Sequence, residues 1–374
     1  MAVAIVAGAL ANKPSNGGEA WVRLSWALGL RRLGFDVHFV EQLPSADDGS
    51  RRWFEDVTQE FGLGERATLL CGDDPDEPQR TPLAEIASEA ELLVNLSGHL
   101  TLPELLRGPR ERLYVDLDPG FTQSWHADPA VDFELSGHDH YATVGLRVGQ
   151  PGCRIPTSGI DWIPTLPPVL LDFFPELPAP PAPMRFTTVA TWRSPSGSVT
   201  IDGETMSLKH HQFRRLIELP RRLPDAVFEI ALSIHPGDAA DLDALRQHGW
   251  RIVEPETVAA SPFAFREYVA GSTAEFSVAQ GAYVDSRSGW FSDRTAAYLA
   301  TGRPALVQDT GLGGDVPTDG GLVTFGSVDE AVAGAEAIAA DPAGHGAAAR
   351  AFAEDRLDSD VVLGRLLDRI GVTG

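Results

Sequence analysis

The sequence is poor in cysteine and in basic residues, and it contains no long apolar run. Its 374 residues include two cysteines, Cys71 and Cys153, which are too few for a disulfide framework or a cysteine-rich metal cluster. Lys and Arg number 30 against 53 Asp and Glu, and the net charge of −23 argues against nucleic-acid or anionic-membrane partners. No segment has the length and apolarity of a membrane span. We therefore expect a cytoplasmic protein without integral membrane association.

Two familiar signals are also missing. The N-terminal run MAVAIVAGALA lacks the basic region of a signal peptide, so residues 2–7 are predicted to form a buried strand instead. The Gly-rich loop that follows lacks the G-x-G-x-x-G fingerprint, and Glu41 at the end of the second predicted strand stands without it. A nicotinamide-dependent dehydrogenase is therefore disfavoured.

What is present is a repeated alternation of apolar strands and helices, which predicts an α/β protein of two doubly wound, Rossmann-like parallel-sheet units facing a cleft. A proline-dense segment divides them and predicts an extended linker, with residues 169–174 packed on a domain face. We place the N-terminal domain at 1–165, the linker at 166–184, the C-terminal domain at 185–350, and a C-terminal helix at 351–374 that crosses back. Strands are predicted at 2–7, 36–41, 67–70, 92–96, 112–117, 185–192, 226–233, 250–253, 274–278, 305–308 and 322–325. Helices are predicted at 20–33, 50–61, 83–90, 207–219, 238–248, 262–270, 327–340 and 345–370, with another beginning at Ser292 or Asp293. Ser207 and Ser327 are expected to cap their helices, and residues 196–205 predict a hairpin with Asp202-Gly203 as its turn.

Polar side chains follow two strands of the first unit. His99 and Asp118 lie at carboxyl ends of predicted strands, where ligands of open α/β sheets bind, so each is a candidate general base. Asp118 could equally form an Asp-Pro-Gly turn, and His99 a loop hydrogen bond. Asp116 and Asp118 have the spacing of a metal-binding D-x-D motif, but they lie in the predicted acceptor domain, and His138-x-His140 has no third ligand at a suitable spacing. We predict no metal site.

The stretch 281–311 predicts a polar loop, a helix, and a short buried strand. A loop that enters a helix N-terminus offers free N–H groups and the positive end of a dipole, which suits a phosphate. Arg294 lies in the first turn, where the dipole disfavours a cation, and this favours an anionic partner over a plain surface arginine.

Three motifs carry a family resemblance. They are N16-G-G-E-A, the run Ala190 to Arg193 followed by Lys209, and Ala297 to Val307 (AYLATGRPALV). Together with the layout they resemble the GT-B glycosyltransferases, above all the retaining group with an E-x7-E motif and its spore-maturation-like relatives. Both acids of that motif are missing, since Gly289 and Ala297 occupy their positions. The stereochemistry of the reaction therefore stays open.

The resemblance implies a donor site and a reaction. Gly17 and Gly18 would lie over the donor diphosphate, although a plain tight turn is an equal alternative, and Arg193 and Lys209 would bind that diphosphate. Lys209 by itself would be interpreted as a solvated helix lysine. The remaining donor-phosphate candidates are Ser288, Gly289, Ser292 and Arg294.

The implied activity is transfer of a sugar from a nucleotide-diphosphate donor to a small-molecule or natural-product acceptor. The donor is a co-substrate, no other cofactor is predicted, and the chemistry is expected to be metal-independent. Two alternatives remain. One is a non-hydrolysing sugar-nucleotide epimerase on the same scaffold, which needs a carboxylate pair in the cleft, and the other is a non-catalytic sugar-nucleotide-binding subunit.

Overall fold

The computed structural model describes residues 1–72, 78–128, 135–178, 180, 183–194, 196–314 and 316–374. It contains two parallel sheets, each covered by helices, as the alternation of strands and helices predicts. The fold class expected from the sequence is confirmed. The predicted strands recur within three residues of their expected limits, because a central parallel strand is a continuous apolar run.

The first sheet belongs to the N-terminal half and has seven strands. They are β1 (Val3–Ala7), β2 (Asp36–Leu43), β3 (Ala67–Cys71), β4 (Leu92–Leu96), β5 (Glu111–Asp116), β6 (His140–Thr143) and β7 (Trp162–Pro164). All neighbours are parallel in the order β3-β2-β1-β4-β5-β6-β7, so the strand order reverses direction beside β1. A ligand cleft is expected beyond the carboxyl ends at such a switch point.

The second sheet has six strands in the order β12-β11-β8-β13-β14-β15 and the same kind of switch point, here beside β8. Its strands are β8 (Arg185–Thr191), β11 (Val227–Ser233), β12 (Arg251–Val253), β13 (Ala274–Ser277), β14 (Ala305–Gln308) and β15 (Leu322–Phe325). The predicted hairpin is confirmed, with strands β9 (Thr200–Ile201) and β10 (Glu204–Thr205) joined by Asp202-Gly203. Asp202 has a φ of 52° and Gly203 one of 77°, as a tight hairpin turn requires.

Fifteen α-helices are present in the described residues. They are α1 (Gly17–Arg32), α2 (Asp48–Glu60), α3 (Arg80–Glu89), α4 (Pro103–Arg107), α5 (Phe121–Ala127), α6 (Lys209–Arg215), α7 (Leu219–Arg222), α8 (Ala239–Gln247), α9 (Pro255–Val258), α10 (Pro262–Ala270), α11 (Gly281–Asp285), α12 (Asp293–Ala300), α13 (Val328–Ala340), α14 (Pro342–Arg356) and α15 (Ser359–Ile370). Within these parts of the chain, no helix combines the length and apolarity needed to cross a membrane.

Two helix predictions are wrong. Ser207 does not cap the helix that follows, because its hydroxyl donates to Asp285 Oδ2 (2.6 Å), and the helix begins at Lys209 and ends early. The predicted helix at 345–370 is instead two helices, α14 and α15. Asp358 caps α15 by accepting a hydrogen bond from the Asp360 amide, and the chain turns between the two helices.

The described part of the proline-rich segment is anchored to the rest of the protein, as its apolar patch at 169–174 predicts. Val169 and Phe174 are buried, and the Phe174 ring packs edge-on against Trp21 with centroids 4.9 Å apart. The Val169 amide donates to the Leu357 carbonyl (2.8 Å). Arg303, only 2 % exposed, donates hydrogen bonds to the carbonyls of Leu177, Pro178 and Ala270.

Helix α15 packs on α1 of the N-terminal half. Its buried residues share one core with the apolar face of α1. The approach is close at Gly29, where an added Cβ would lie 2.6 Å from Leu363 Cδ1. The last helix thus completes the core of the first sheet.

Candidate active site

Charged side chains from both halves converge between the two sheets. Glu19 lies in the first turn of α1, His99 follows β4, and Asp118 follows β5. From the other half come Lys209 at the start of α6 and Asp293 at the start of α12. Their mutual electrostatic effects tie the five residues into one group, which we call the cleft cluster. The carboxyl edge of the first sheet therefore contributes His99 and Asp118, and helix N-termini of both halves contribute the other three residues.

Lys209 is the cluster's unpaired cation. Its ammonium has no hydrogen-bond or ion-pair partner among the described residues, and the side chain is only partly exposed. Burial, with the neighbouring Arg294 guanidinium, lowers the pKa of Lys209 to about 8, while the carboxylates of Asp118, Asp293 and Glu19 oppose that shift. Such a lysine is surrounded by protein yet open to solvent on one side, as expected for a group that faces a bound anion.

Two carboxylates stand beside it with opposite pKa shifts. Burial, and then the charge of Glu19, raises the pKa of Asp293 to about 6. Burial acts the same way on Glu19, but the charges of Arg23 and Lys13 outweigh it and hold the Glu19 pKa at about 2. Glu19 forms ion pairs with both cations, with 3.1 Å to Lys13 Nζ. At neutral pH Glu19 is therefore fully ionised, whereas Asp293 changes its protonation state at a pH only slightly below neutrality.

The two candidate general bases in the cluster, His99 and Asp118, have different surroundings. Burial and the charges of Arg23 and Lys13 lower the pKa of His99 to about 4, so its imidazole is neutral at pH 7 and a weak base. Asp118 is exposed to the cleft, and its Oδ1 accepts a hydrogen bond from the hydroxyl of Tyr283 in the other half (2.8 Å). Asp118 is therefore oriented by a contact across the cleft.

Arg294 has its anionic partner inside the protein. Its Nε donates to Glu275 Oε1 (2.7 Å), one terminal nitrogen to Ser277 Oγ (2.7 Å), and the other to the Val189 carbonyl (2.9 Å). Glu275 is fully buried in β13. The guanidinium therefore acts on Lys209 as a fixed charge behind the cleft wall, and its hydrogen bonds hold the ends of β8 and β13 together.

The Gly-Gly motif lies where the two halves touch. The Gly17 amide donates to the Ala259 carbonyl (2.8 Å), and a Cβ on Gly17 would lie 2.0 Å from the Ser261 carbonyl oxygen. A Cβ on Gly18 would meet only the Phe265 ring, at 3.3 Å. Gly17 therefore permits a backbone contact between domains, and the predicted contact of both glycines with a diphosphate stays a prediction.

Ser288 and Gly289 lie at a second junction between the halves. Ser288 is fully buried, its hydroxyl donates to the Tyr283 carbonyl, and its own carbonyl accepts from the Arg147 amide (2.9 Å). Gly289 has a φ of 68°, and a Cβ there would lie 2.8 Å from the Arg147 nitrogen. These polar groups are engaged within the protein. A phosphate would reach them only after this junction opened.

Ser292 and Arg193 were also predicted to bind the donor. Ser292 occupies the N-cap position of α12 but makes no capping hydrogen bond, and it is buried. Arg193 is 55 % exposed and makes two hydrogen bonds to Asp238, at 2.7 and 2.5 Å. Its partner Asp238 does not belong to the cleft cluster, and the predicted contact of Arg193 with a diphosphate stays a prediction.

The D-x-D spacing and the His-x-His pair serve the fold. Asp116 is fully buried and accepts hydrogen bonds from Thr122, Gln123, Thr143 and the Asp118 amide, which shapes the turn after β5. The two histidines contact different partners, Asn95 and Glu111. Across the described ranges no three His, Cys, Asp or Glu side chains are grouped as metal ligands.

Sequence reasoning missed Glu19 and the role of Asp293. Both residues could have been identified from the sequence, since Glu19 belongs to the N-G-G-E-A motif and Asp293 is the first residue of the predicted helix. Their pairing across the cleft could not have been predicted, because it depends on how α1 and α12 face each other. Tyr283, which contacts Asp118, gave no signal because it lies in a stretch predicted as loop.

Comparison with known proteins bears on the fold. No protein-family model matches the sequence, and no curated protein matches it significantly. Among solved structures, the chain is similar to AviGT4, a glycosyltransferase involved in avilamycin A biosynthesis (TM-score 0.59, 14 % identity, 98 % of this chain and 96 % of that one). It is also similar to Anabaena Alr3699/HepE, solved with UDP (TM-score 0.56, 12 % identity, 99 % and 100 %).

A third similar structure is a Listeria monocytogenes protein described as a UDP-N-acetylglucosamine 2-epimerase (TM-score 0.52, 12 % identity, 99 % and 96 %). The three similarities extend over nearly the whole chain at identities too low to carry an activity. Together with two facing, doubly wound parallel sheets, they show that the chain has the GT-B fold.

Proposed function

We propose that this chain is a glycosyltransferase that moves a sugar from a nucleoside-diphosphate sugar to a hydroxyl or amine of a small-molecule or natural-product acceptor. The second sheet would hold the nucleotide and the first the acceptor. AviGT4 is a glycosyltransferase, and HepE has been solved with UDP, which supports a donor of this class. The narrower likeness to spore-maturation-like enzymes rests on the sequence motifs alone.

The observation that carries the proposal is the unpaired ammonium of Lys209 in the cleft. The sequence contains only two lysines, Lys13 and Lys209, and both lie at the cleft cluster. Every other member of the chain's 30 Lys and Arg residues is an arginine, including Arg23 and Arg294 beside the cluster, so a lysine at each of these two positions points to a local need. A compact ammonium suits a phosphate that it must meet as a point charge.

In the transfer step, negative charge develops on the departing diphosphate as the glycosidic bond breaks. Lys209 would donate to a phosphate oxygen, and Arg294 would add positive potential from behind the wall, so the leaving group would not depend on a metal. Asp118 is our candidate base for the acceptor if the enzyme inverts. His99, neutral and weakly basic, would instead accept or donate a hydrogen bond to a sugar hydroxyl.

The test measures UDP affinity by titration calorimetry. Lys209→Ala should weaken binding by about 2–4 kcal/mol, because a bound phosphate then loses a charged hydrogen-bond partner. Arg193→Ala should cost less, since Arg193 is already paired with Asp238. Arg246→Ala removes an exposed cation of α8 and should leave the affinity unchanged. Equal UDP affinity in the wild type and Lys209→Ala would overturn the donor assignment.

The two lysines allow a second arm of the same test. At pH 8 about half of Lys209 is deprotonated, given its pKa of about 8, so an amine-reactive acetylating reagent should modify it faster than an ordinary lysine. Mass spectrometry of the two lysine peptides would report both rates. UDP should protect Lys209, and modification at an undiminished rate under saturating UDP would contradict the proposed contact.

One observation favours the epimerase alternative. An epimerase needs carboxylates placed around the sugar, and Glu19, Asp293 and Asp118 all lie in the cleft cluster. Incubation with UDP-N-acetylglucosamine, followed by proton NMR, separates the two activities. A non-hydrolysing epimerase would change the configuration at a sugar carbon without an acceptor, and the sugar would stay attached to the nucleotide. A transferase would leave the donor intact until an acceptor is added.

A further inference from the structure

A concentration of positive charge lines a cavity outside the cleft cluster. A cavity of about 620 Å³ opens between the loop after β6, the end of β7, the loop after β14, and helices α14 and α15. Four arginines line it, namely Arg147, Arg356, Arg365 and Arg369, and no acidic residue occurs among the described residues of its wall. Four clustered arginines are unexpected in a chain whose net charge is −23.

The arginines come from three separate elements. Arg147 follows β6, Arg356 ends α14, and Arg365 and Arg369 lie four residues apart on one face of α15. Like charges at that helical spacing repel each other, and a bound anion would relieve that repulsion. Arg356 contacts Asp355 (3.2 Å), and Arg147 donates to the Pro151 carbonyl. For Arg365 and Arg369, the described chain supplies no carboxylate within ion-pair distance.

The rest of the wall is mainly apolar. It includes Ile163 and Leu166 beside the end of β7, Val316 after β14, and Val362 and Leu366 on α15. Apolar surface accompanied by several guanidinium groups suits a ligand that has an apolar body and one anionic group. A fully polar anion would leave this apolar surface unused, and a neutral apolar ligand would leave Arg365 and Arg369 without a carboxylate or other anion.

We propose that this cavity is a binding site for an amphiphilic anion, with the arginines on its phosphate or carboxylate and the apolar wall around its body. The site shares no residue with the cleft cluster, and the proposal does not depend on the proposed sugar transfer. A ligand there contacts both halves of the chain, because β7 and the loop after β6 belong to the first and the loop after β14 to the second.

The test uses hexyl phosphate and hexanoate as probes, with inorganic phosphate and 1-hexanol as their polar and neutral counterparts, in titration calorimetry. We expect at least one of the two amphiphilic anions to bind at least about tenfold more tightly than either counterpart. The stronger of the two identifies phosphate or carboxylate as the preferred group. Failure of both anions to bind, or equal binding of 1-hexanol, would overturn the proposal.

Variants locate the binding. The double substitution Arg365→Gln with Arg369→Gln removes two exposed cations, so the fold should persist, and the affinity should fall at least about tenfold. Arg246→Gln makes the same kind of change on α8, outside the cavity, and Lys209→Ala tests the cleft. Both should stay within about twofold of wild type. Loss of binding in Lys209→Ala, or retention in the double variant, would place the anion elsewhere and overturn the assignment.

Discussion

At the scale of single residues, the cleft cluster shows that chemically similar side chains in one environment acquire different pKa values and different partners. Glu19 and Asp293 are both carboxylates at helix starts, yet paired cations lower the pKa of the first while burial and Glu19 raise that of the second. Arg294 and Lys209 are both cations, but only Arg294 has an internal carboxylate. The group left without a protein partner is the one available to a ligand.

Asp293 gives a pH-dependent prediction. Its folded-state pKa of about 6 exceeds the ordinary value of 3.8, so folding favours the protonated form and loses stability as pH rises between these values. Asp293→Asn has no such loss. Its advantage over wild type should be smallest at pH 4, grow as the pH rises to about 6, and level off above that pH. It should stay below about 1 kcal/mol, because the carboxylate faces the solvent of the cleft, which screens it. Melting temperatures from pH 4 to 8 would check this, and a pH-independent difference would contradict it.

Arg303 gives a prediction about stability alone. Its buried guanidinium supplies the carbonyls of Leu177, Pro178 and Ala270 with hydrogen bonds, and burial lowers its pKa. Arg303→Met keeps the volume and leaves those carbonyls without their donor, which should lower the free energy of unfolding by about 2–4 kcal/mol. Urea denaturation would measure it, with the exposed Arg246→Met as a control near zero. Equal midpoints would show that the linker does not need this anchor.

At the scale of elements, the sequence predicted what depends on local pattern. The buried strands and the cap of α13 at Ser327 follow from apolar runs and capping chemistry, and both are observed. The break between α14 and α15 was missed although Asp358 is a good N-cap, because the alanine-rich stretch before it also favours helix. Ser207 was assigned as a cap because its contact with Asp285, 78 residues away, has no local signal.

The start of α1 approaches the backbone of the other half closely. Gly17→Ala would place a Cβ 2.0 Å from the Ser261 carbonyl oxygen, so the backbone must move. The substitution should lower the free energy of unfolding by more than about 2 kcal/mol, which would be measured as a lower melting temperature. Gly18→Ala is the matched control, because its Cβ would meet only the Phe265 ring at 3.3 Å. Equal effects of the two substitutions would mean that the contact between α1 and the loop before α10 is not tight in solution.

At the scale of the whole molecule, the halves are joined far more extensively than one linker suggests. Backbone hydrogen bonds connect Leu146 with Gly289, Arg147 with Ser288, and Gly17 with Ala259. One apolar core contains residues of both halves, including Trp21 and Phe291. The two-domain plan was predictable from the alternating elements, but this junction was not, because it is made by loops whose pairing depends on the relative placement of the sheets.

We therefore expect the two halves to unfold together. Differential scanning calorimetry should show one transition, because neither half can lose its core without exposing apolar surface of the other. UDP, if bound in the cleft, should raise the temperature of that single transition. Two resolved transitions, with only one of them shifted by UDP, would indicate domains that fold independently and would contradict the shared core.

The placement of α15 also has a consequence for synthesis on the ribosome. The N-terminal sheet emerges first, but the helix that covers α1 is made from residues 359–370. At roughly 5–20 residues per second, the second half takes about 10–40 s to translate, and during that time the part of α1 that packs on α15 has no native cover. The nascent first domain therefore cannot complete its core before residues 359–370 are synthesised, and until then it should recruit chaperones that bind exposed apolar helices.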